Sequence, residues 1–338
     1  MMRTIWIGVA AFVGTCCAAP APAATTFGDL FVFGDSLVDS GNARAARLAT
    51  GGVDPAPPAF GYFEGRFSNG YNFADFLSLD LTGGPATAFA FGGSNFSVGG
   101  AQSAEVAGDA SPSFAEQIAA FTGSGQAFGG DSLVLVTLGG NDVRGEIAKA
   151  ATVPGYQPSL VPARAALEEG LTSLINLGAR NIVVTGLPNV GQIPAVTQFG
   201  SAGLSSLGAQ LSFGLNQTFG QSVAGLATQT GYNLQFFDLF GYQSALYADP
   251  AAFGLAVPLD TSRACLSIRD AAPACNGFVY FDTIHPTTQL HRAVATGITA
   301  QIASAVPEPA TWMMWITGFG LVGAIMRWRR REVRPSFA

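Results

Sequence analysis

The chain has 338 residues, only 11% of them charged, and a mean hydropathy of +0.33, apolar for a soluble protein. That length allows one large domain or two of average size. Residues 24–306 hold ten Lys+Arg and twenty Asp+Glu with a single lysine, Lys149; this acidic stretch excludes nucleic acid as a partner, which requires a basic face, and matches anionic lipid headgroups poorly.

The chain opens with an early Arg3, an apolar run over 5–13 and the small-residue string Ala19-Pro20-Ala21-Pro22-Ala23-Ala24. This is the order of a secretory signal peptide over residues 1–23, with cleavage expected after Ala23. Lipid attachment at Cys16 or Cys17 fits less well, because Val13-Gly14-Thr15 makes a poor lipobox.

Beyond the leader, a short apolar run at 30–33 reads as a buried strand, and Gly34-Asp35-Ser36 reads as the turn that ends it. Residues 50–67 are rich in Gly and Pro and read as irregular. A helix is expected over 72–81, a strand within 88–98, a helix over 113–121 and a strand over 133–138. In 161–178, Leu167, Leu171, Leu174 and Ile175 recur at helical spacing and Gly178 is placed to cap the end. A strand at 181–185, a long weakly amphipathic helix at 204–230 with glycines able to break it, a strand at 234–239 and a closing helix at 287–304 complete the pattern. Such alternation predicts a parallel sheet of about five strands with helices on both faces. No internal repeat interrupts it, and residues 24–305 read as one domain.

Two cysteines lie outside the leader, Cys265 and Cys275. An even pair in an exported domain reads as a disulfide, here a structural one pinning the loop before residues 282–285. No further ligands are spaced around it for a metal.

At the other end, Val306-Pro307-Glu308-Pro309 precedes an apolar segment and then Arg327, Arg329, Arg330 and Arg331. As a helix, residues 310–328 would be about 28 Å long, close to the hydrocarbon thickness of a bilayer, and the arginines would hold that end in the cytoplasm. A plain C-terminal anchor is one reading. The pattern also resembles the PEP-CTERM sorting tail of Gram-negative bacteria. That resemblance implies an exosortase as a partner that removes residues 306–338, so that membrane anchoring is transient and the protein ends at the cell surface or outside the cell.

A serine hydroxyl is a weak nucleophile and needs a base oriented by a third group. The two histidines are His285 and His291. His285 lies in Asp282-Thr283-Ile284-His285-Pro286, where Asp282 can set the imidazole tautomer from three residues away. His291 falls within the closing helix and reads as a surface or packing residue. Acyl transfer also needs donors for an oxyanion. Gly139-Gly140-Asn141-Asp142 follows one strand and supplies a side-chain amide; Asn95-Phe96-Ser97-Val98-Gly99-Gly100-Ala101 follows another and supplies backbone N–H groups. Each segment taken singly is more often a plain turn.

In this order, the Gly-Asp-Ser, Asn-Phe-Ser-Val-Gly-Gly-Ala, Gly-Gly-Asn-Asp and Asp-Thr-Ile-His-Pro blocks together resemble the GDSL lipase/acylhydrolase family, also called SGNH hydrolases. Gly65-Arg66-Phe67-Ser68-Asn69-Gly70 is similar to a segment of its longer, plant-like members. The resemblance implies a three-layer α/β/α sandwich of flavodoxin type. It implies Ser36 as nucleophile, His285 as base and then acid, and Asp282 as its orienting partner. The oxyanion donors would be the N–H of Ser36, the N–H of Gly100 (with Gly99 the less favoured alignment) and the side chain of Asn141. Ser97 stands where relatives often carry Ala. No cofactor or metal is implied. The expected substrates are carboxylic esters, whether lipids, short acyl esters or O-acetyl groups of an extracellular polysaccharide. A non-catalytic matrix or adhesion protein is the reading from another class, and the presence of every block weighs against it.

Overall fold

A computed structural model describes residues 27–268, 275–304, 317–324 and 326–327. The elements run β1 (Asp29–Gly34), α1 (Asn42–Ala49), α2 (Phe73–Thr82), α3 (Phe114–Ser124), β2 (Ser132–Thr137), α4 (Gly140–Thr152), α5 (Val161–Asn176) and β3 (Asn181–Thr185). They continue with α6 (Pro194–Thr197), α7 (Ala202–Thr230), β4 (Asn233–Phe237), α8 (Leu239–Ala248), β5 (Asp260–Ala264), β6 (Phe278–Tyr280) and α9 (Thr288–Ser304). Strands β1 to β4 form one parallel sheet in the order β1-β2-β3-β4, and β5 and β6 form a small parallel pair.

Side-chain alternation divides the core into two layers. Phe31, Phe33, Val134, Val136, Ile182 and Val184 join Phe114, Leu167, Leu171 and Phe219 on one face. Leu30, Val32, Leu133, Leu135 and Val183 join Phe73, Leu77, Val294 and Ile298 on the other. Helices α3, α5 and α7 thus cover one face and α2 and α9 the other, which is the expected three-layer sandwich. Strands buried on both faces are apolar throughout, and this is why they stand out in the sequence.

The expected strand within 88–98 is a partial one. Val32 N–H donates to Ser94 O, and Phe96 and Val98 N–H donate to the carbonyls of Val32 and Gly34, at 2.7–3.1 Å. The segment therefore occupies the fifth, edge position beside β1, as an isolated bridge at Asn95 and not a regular strand. Its outer carbonyls are taken by a side chain: Asn42 Nδ2 donates to Asn95 O and Ser97 O at 2.7 and 2.8 Å.

Helix starts follow from local chemistry. Asn72 with Asp75, and Ser113 with Glu116, form reciprocal capping boxes at the heads of α2 and α3. Helix α7 runs unbroken for 29 residues despite its glycines. Gly208 is where the helix meets Gly191, since a Cβ there would lie 2.7 Å from the Gly191 Cα. Close approach, not a bend, accounts for that glycine.

Among the described residues no helix is long and apolar enough to cross a membrane. The expected leader at 1–23 lies outside the described residues, as do residues 310–316, 325 and 328 of the expected span at 310–328.

Candidate active site

The end of β1 builds the turn that carries Ser36. Asp35 N–H donates to Thr137 O at 3.0 Å, and Val38 and Asp39 N–H close a turn on Asp35 O at 3.2 and 3.1 Å. Gly34 must approach β2 so closely that a Cβ would sit 2.5 Å from Thr137 O and 2.7 Å from Val38 Cγ2. Gln117 of α3 clamps the same residue, accepting from Gly34 N–H at 2.8 Å and donating to its carbonyl at 2.9 Å. Ser36 follows, half-buried, at the carboxyl end of a parallel strand, where open α/β sheets place ligands.

The second component is the loop after β6. Phe281 N–H donates to His285 O at 2.8 Å and closes a tight turn around residues 282–284. Inside it, Asp282 Oδ1 accepts from the N–H groups of Ile284 and His285 at 2.8 and 2.7 Å. Asp282 Oδ2 lies 2.7 Å from His285 Nδ1, and His285 Nε2 lies 2.8 Å from Ser36 Oγ. With the Nδ1 proton on Asp282, the Nε2 lone pair faces the serine hydroxyl, which donates to it. Burial works to raise the Asp282 carboxyl, but the His285 charge and the hydrogen bonds it receives outweigh that and hold it at about 2. The Phe67 ring packs on the imidazole with centroids 5.0 Å apart.

The sequence names three N–H donors, on Ser36, Gly100 and Asn141. Gly100 has φ 93°, a left-handed conformation suited to glycine. The N–H groups of Ser36 and Gly100 donate to no described residue. Gly99 N–H, by contrast, is committed to Asp39 Oδ2 at 2.8 Å. Asp39 also accepts from the N–H groups of Gly41, Asn42 and Ala43, and with the Gly99 bond ties the Ser36 turn to the glycine loop. Asn141 sits in the first turn of α4. Its Nδ2 donates one proton to Ala101 O at 2.9 Å, and its Oδ1 accepts from Arg144 at 2.9 Å, so the amide has one orientation and a second Nδ2 proton to offer. Asp142 accepts from the Ser103 N–H and hydroxyl at 3.0–3.2 Å and anchors the glycine loop to α4.

Of the predicted site residues, Ser36, His285 and Asp282 form one hydrogen-bonded chain, and Gly100 and Asn141 lie on segments joined by the Asn141–Ala101 hydrogen bond. His291 does not join them: it is buried in α9, its ring centroid 5.7 Å from that of Phe73, and it lines an apolar cavity with Leu37 and Ile284. Cys265 and Cys275 are bridged, with Cα atoms 5.7 Å apart, and pack against Phe281 and Tyr62. Among the described residues no group of three or more His, Cys, Asp or Glu is placed to hold a metal.

Sequence reasoning passed over Asp35, Tyr62 and Arg144. Asp35 is buried with one backbone donor, Leu37 N–H; burial, helped by the Asp142 charge, pushes its carboxyl up to about 7. Burial also lowers the proton affinity of Arg144. Tyr62 donates its hydroxyl to Asp282 Oδ2 at 2.8 Å. Its place within an irregular Gly/Pro-rich segment carries no signal of this.

Residues 30–298 match the model of the GDSL-like lipase/acylhydrolase family, and residues 305–331 match the PEP-CTERM protein-sorting motif. Among curated proteins, one Arabidopsis thaliana GDSL esterase/lipase is 28% identical over 322 residues, covering 79% of this chain and 85% of the relative. A second from the same plant is 26% identical over 337 residues, covering 87% and 93%. Solved structures that align include a catalytic mutant of an acetylxylan esterase from Geobacillus stearothermophilus (16% identity, TM-score 0.44, 82% of this chain and 94% of that one). A Lactobacillus plantarum protein aligns at 14% identity and TM-score 0.44, over 83% of this chain and 99% of that one.

Proposed function

The chain belongs to the GDSL-like lipase/acylhydrolase family and is a carboxylic-ester hydrolase; we propose that it works through Ser36, His285 and Asp282 by way of an acyl-enzyme. The observation that carries this reading is the continuous chain from Ser36 Oγ through both nitrogens of His285 to Asp282, with links of 2.8 and 2.7 Å.

In the first half-reaction His285 Nε2 takes the proton as Ser36 Oγ attacks the ester carbonyl. The oxyanion that forms is met by the N–H groups of Ser36 and Gly100 and by Asn141 Nδ2, a set in which one donor is typically worth about 2.7–4 kcal/mol of barrier. His285 then gives its proton to the leaving alcohol. Water then attacks the acyl carbon and loses a proton to the same nitrogen; the bond to Ser36 Oγ breaks, the oxygen takes that proton back, and the acid leaves. Asp282, held anionic, balances the imidazolium at both stages.

The protein is exported, with a signal peptide at 1–23 and a mature domain at 24–305. The tail at 306–338 is held in the inner membrane until an exosortase removes it, which leaves the enzyme at the surface of a Gram-negative cell or outside it. The sorting motif at 305–331 supports this location. The substrates are lipid or short acyl esters. The same motif favours a second substrate class, the O-acetyl groups of exported polysaccharide, which the enzyme would meet there. A series of p-nitrophenyl esters from acetyl to palmitoyl, run beside acetate release from an acetylated glycan, tests the proposal. A kcat/KM that rises with chain length supports the first class, and activity confined to acetyl with glycan deacetylation supports the second. No turnover on any of them contradicts both.

A further inference from the structure

We propose that Tyr62 is a positioning residue for the Asp282–His285 pair, a fourth member of the chain that ends at Ser36. The proposal rests on the assignment of His285 as the base. Asp282 presents two oxygens, and each accepts two hydrogen bonds. Oδ1 takes the N–H groups of Ile284 and His285, which are neighbours in sequence. Oδ2 takes His285 Nδ1 and, from 220 residues away, the Tyr62 hydroxyl at 2.8 Å. The turn alone would leave the carboxylate pivoting about Oδ1; the tyrosine fixes its outer oxygen.

Tyr62 is itself held on several sides. Its ring meets Phe281 edge-on with centroids 5.0 Å apart, and both rings pack against the Cys265–Cys275 bridge. The segment that carries it is stapled to the far side of the histidine loop. Ser68 Oγ donates to Pro286 O, Thr288 N–H donates to Asn69 Oδ1, and Thr288 Oγ1 donates to Tyr71 O, each at 2.9 Å. Burial and the Asp282 charge hold the phenol protonated, so it acts only as a donor.

A donor on Oδ2 also withdraws part of the charge that Asp282 offers to the imidazolium. Removing the hydroxyl concentrates that charge on the Nδ1–H bond and favours the protonated ring. The other charged or titratable groups around the pair are Asp35 on the nucleophile turn, Arg144 on α4 and His291 on α9; all stay in place when Tyr62 changes.

The test is Tyr62→Phe, which keeps the ring and its packing. On p-nitrophenyl acetate kcat falls about three- to tenfold with KM within about twofold, and the acid limb of the kcat/KM profile moves up by about half a pH unit. In a second measurement that needs no turnover, the deshielded His285 Nδ1 proton resonance moves further downfield. An unshifted limb or an unmoved resonance overturns the proposal, because a tyrosine that only fills space would change neither. Ser36→Ala is the control: if that variant keeps wild-type turnover, it is the assignment of nucleophile and base that fails, while the resonance still reports on Tyr62 and Asp282.

Discussion

His291 makes stability depend on pH in a way its surroundings specify. The side chain is buried, its Nδ1 has no hydrogen-bond partner among the described residues, and its neighbours include Phe73, Leu290 and Val294. Burial, with a smaller contribution from the His285 charge, lowers its affinity for a proton from 6.5 to about 3. The unfolded chain therefore takes up a proton that the folded chain rejects. The stability contributed by the neutral ring is complete above pH 6.5 and is lost as pH falls toward 3. The slope is about 1.4 kcal/mol per pH unit, so the loss is about 2 kcal/mol at pH 5 and about 4 kcal/mol by pH 3, against a typical total of about 5–15 kcal/mol.

His291→Leu puts an apolar side chain against the same neighbours and removes the titration. Urea unfolding at pH 8 and pH 5 gives the stability of wild type minus variant, which should fall by about 2 kcal/mol between the two. Asp35 acts in the opposite sense. Its neutral form is favoured in the fold, so its contribution is full below 3.8 and is lost as pH rises through about 7. It is present in both proteins and cancels in the difference. A wild-type-minus-variant value that does not change with pH would refute the reasoning.

Asn141→Ala should lower kcat by about a hundredfold and leave KM nearly unchanged, as expected for a donor that acts on the oxyanion; steady-state kinetics with a rise in KM and an unchanged kcat would make Asn141 a substrate-binding group instead. Replacing both Cys265 and Cys275 by Ser should cost about 2–3 kcal/mol in denaturant unfolding, from the loop-closure entropy of a bridge spanning a separation of 10 residues. Activity should fall with it, since the bridge packs against Phe281 and Tyr62; an unaltered unfolding midpoint would mean that the bridge contributes no net stability.

What was legible in the sequence follows a physical division. Strands β1, β2 and β3 are buried on both faces, so each shows as an apolar run, whereas the edge strand β4 is only partly buried and shows through Leu234, Phe236 and Phe237. The heads of α2 and α3 show through Asn72 and Ser113, whose capping is local. The edge segment at 88–98 is harder to read, because it bonds β1 only at Ser94, Phe96 and Val98 while its outward carbonyls are met by Asn42, distant in sequence. The proposed site residues stand out because each follows a strand or sits in a short loop of characteristic composition. Which N–H of Gly99 and Gly100 is committed depends on the one Asp39 claims, and no spacing reveals that. Tyr62 is hidden for the same reason: its partner is 220 residues further along the chain.

The account stands or falls on Ser36. A fluorophosphonate probe reacts with a serine hydroxyl only when a base and oxyanion donors activate it, and intact mass followed by peptide mapping locates the adduct. The structure leads to a single adduct on Ser36, formed at a rate that follows the neutral form of His285 and absent in Ser36→Ala and His285→Ala. Labelling of another serine, or equal labelling of Ser36 after His285 is removed, would contradict it.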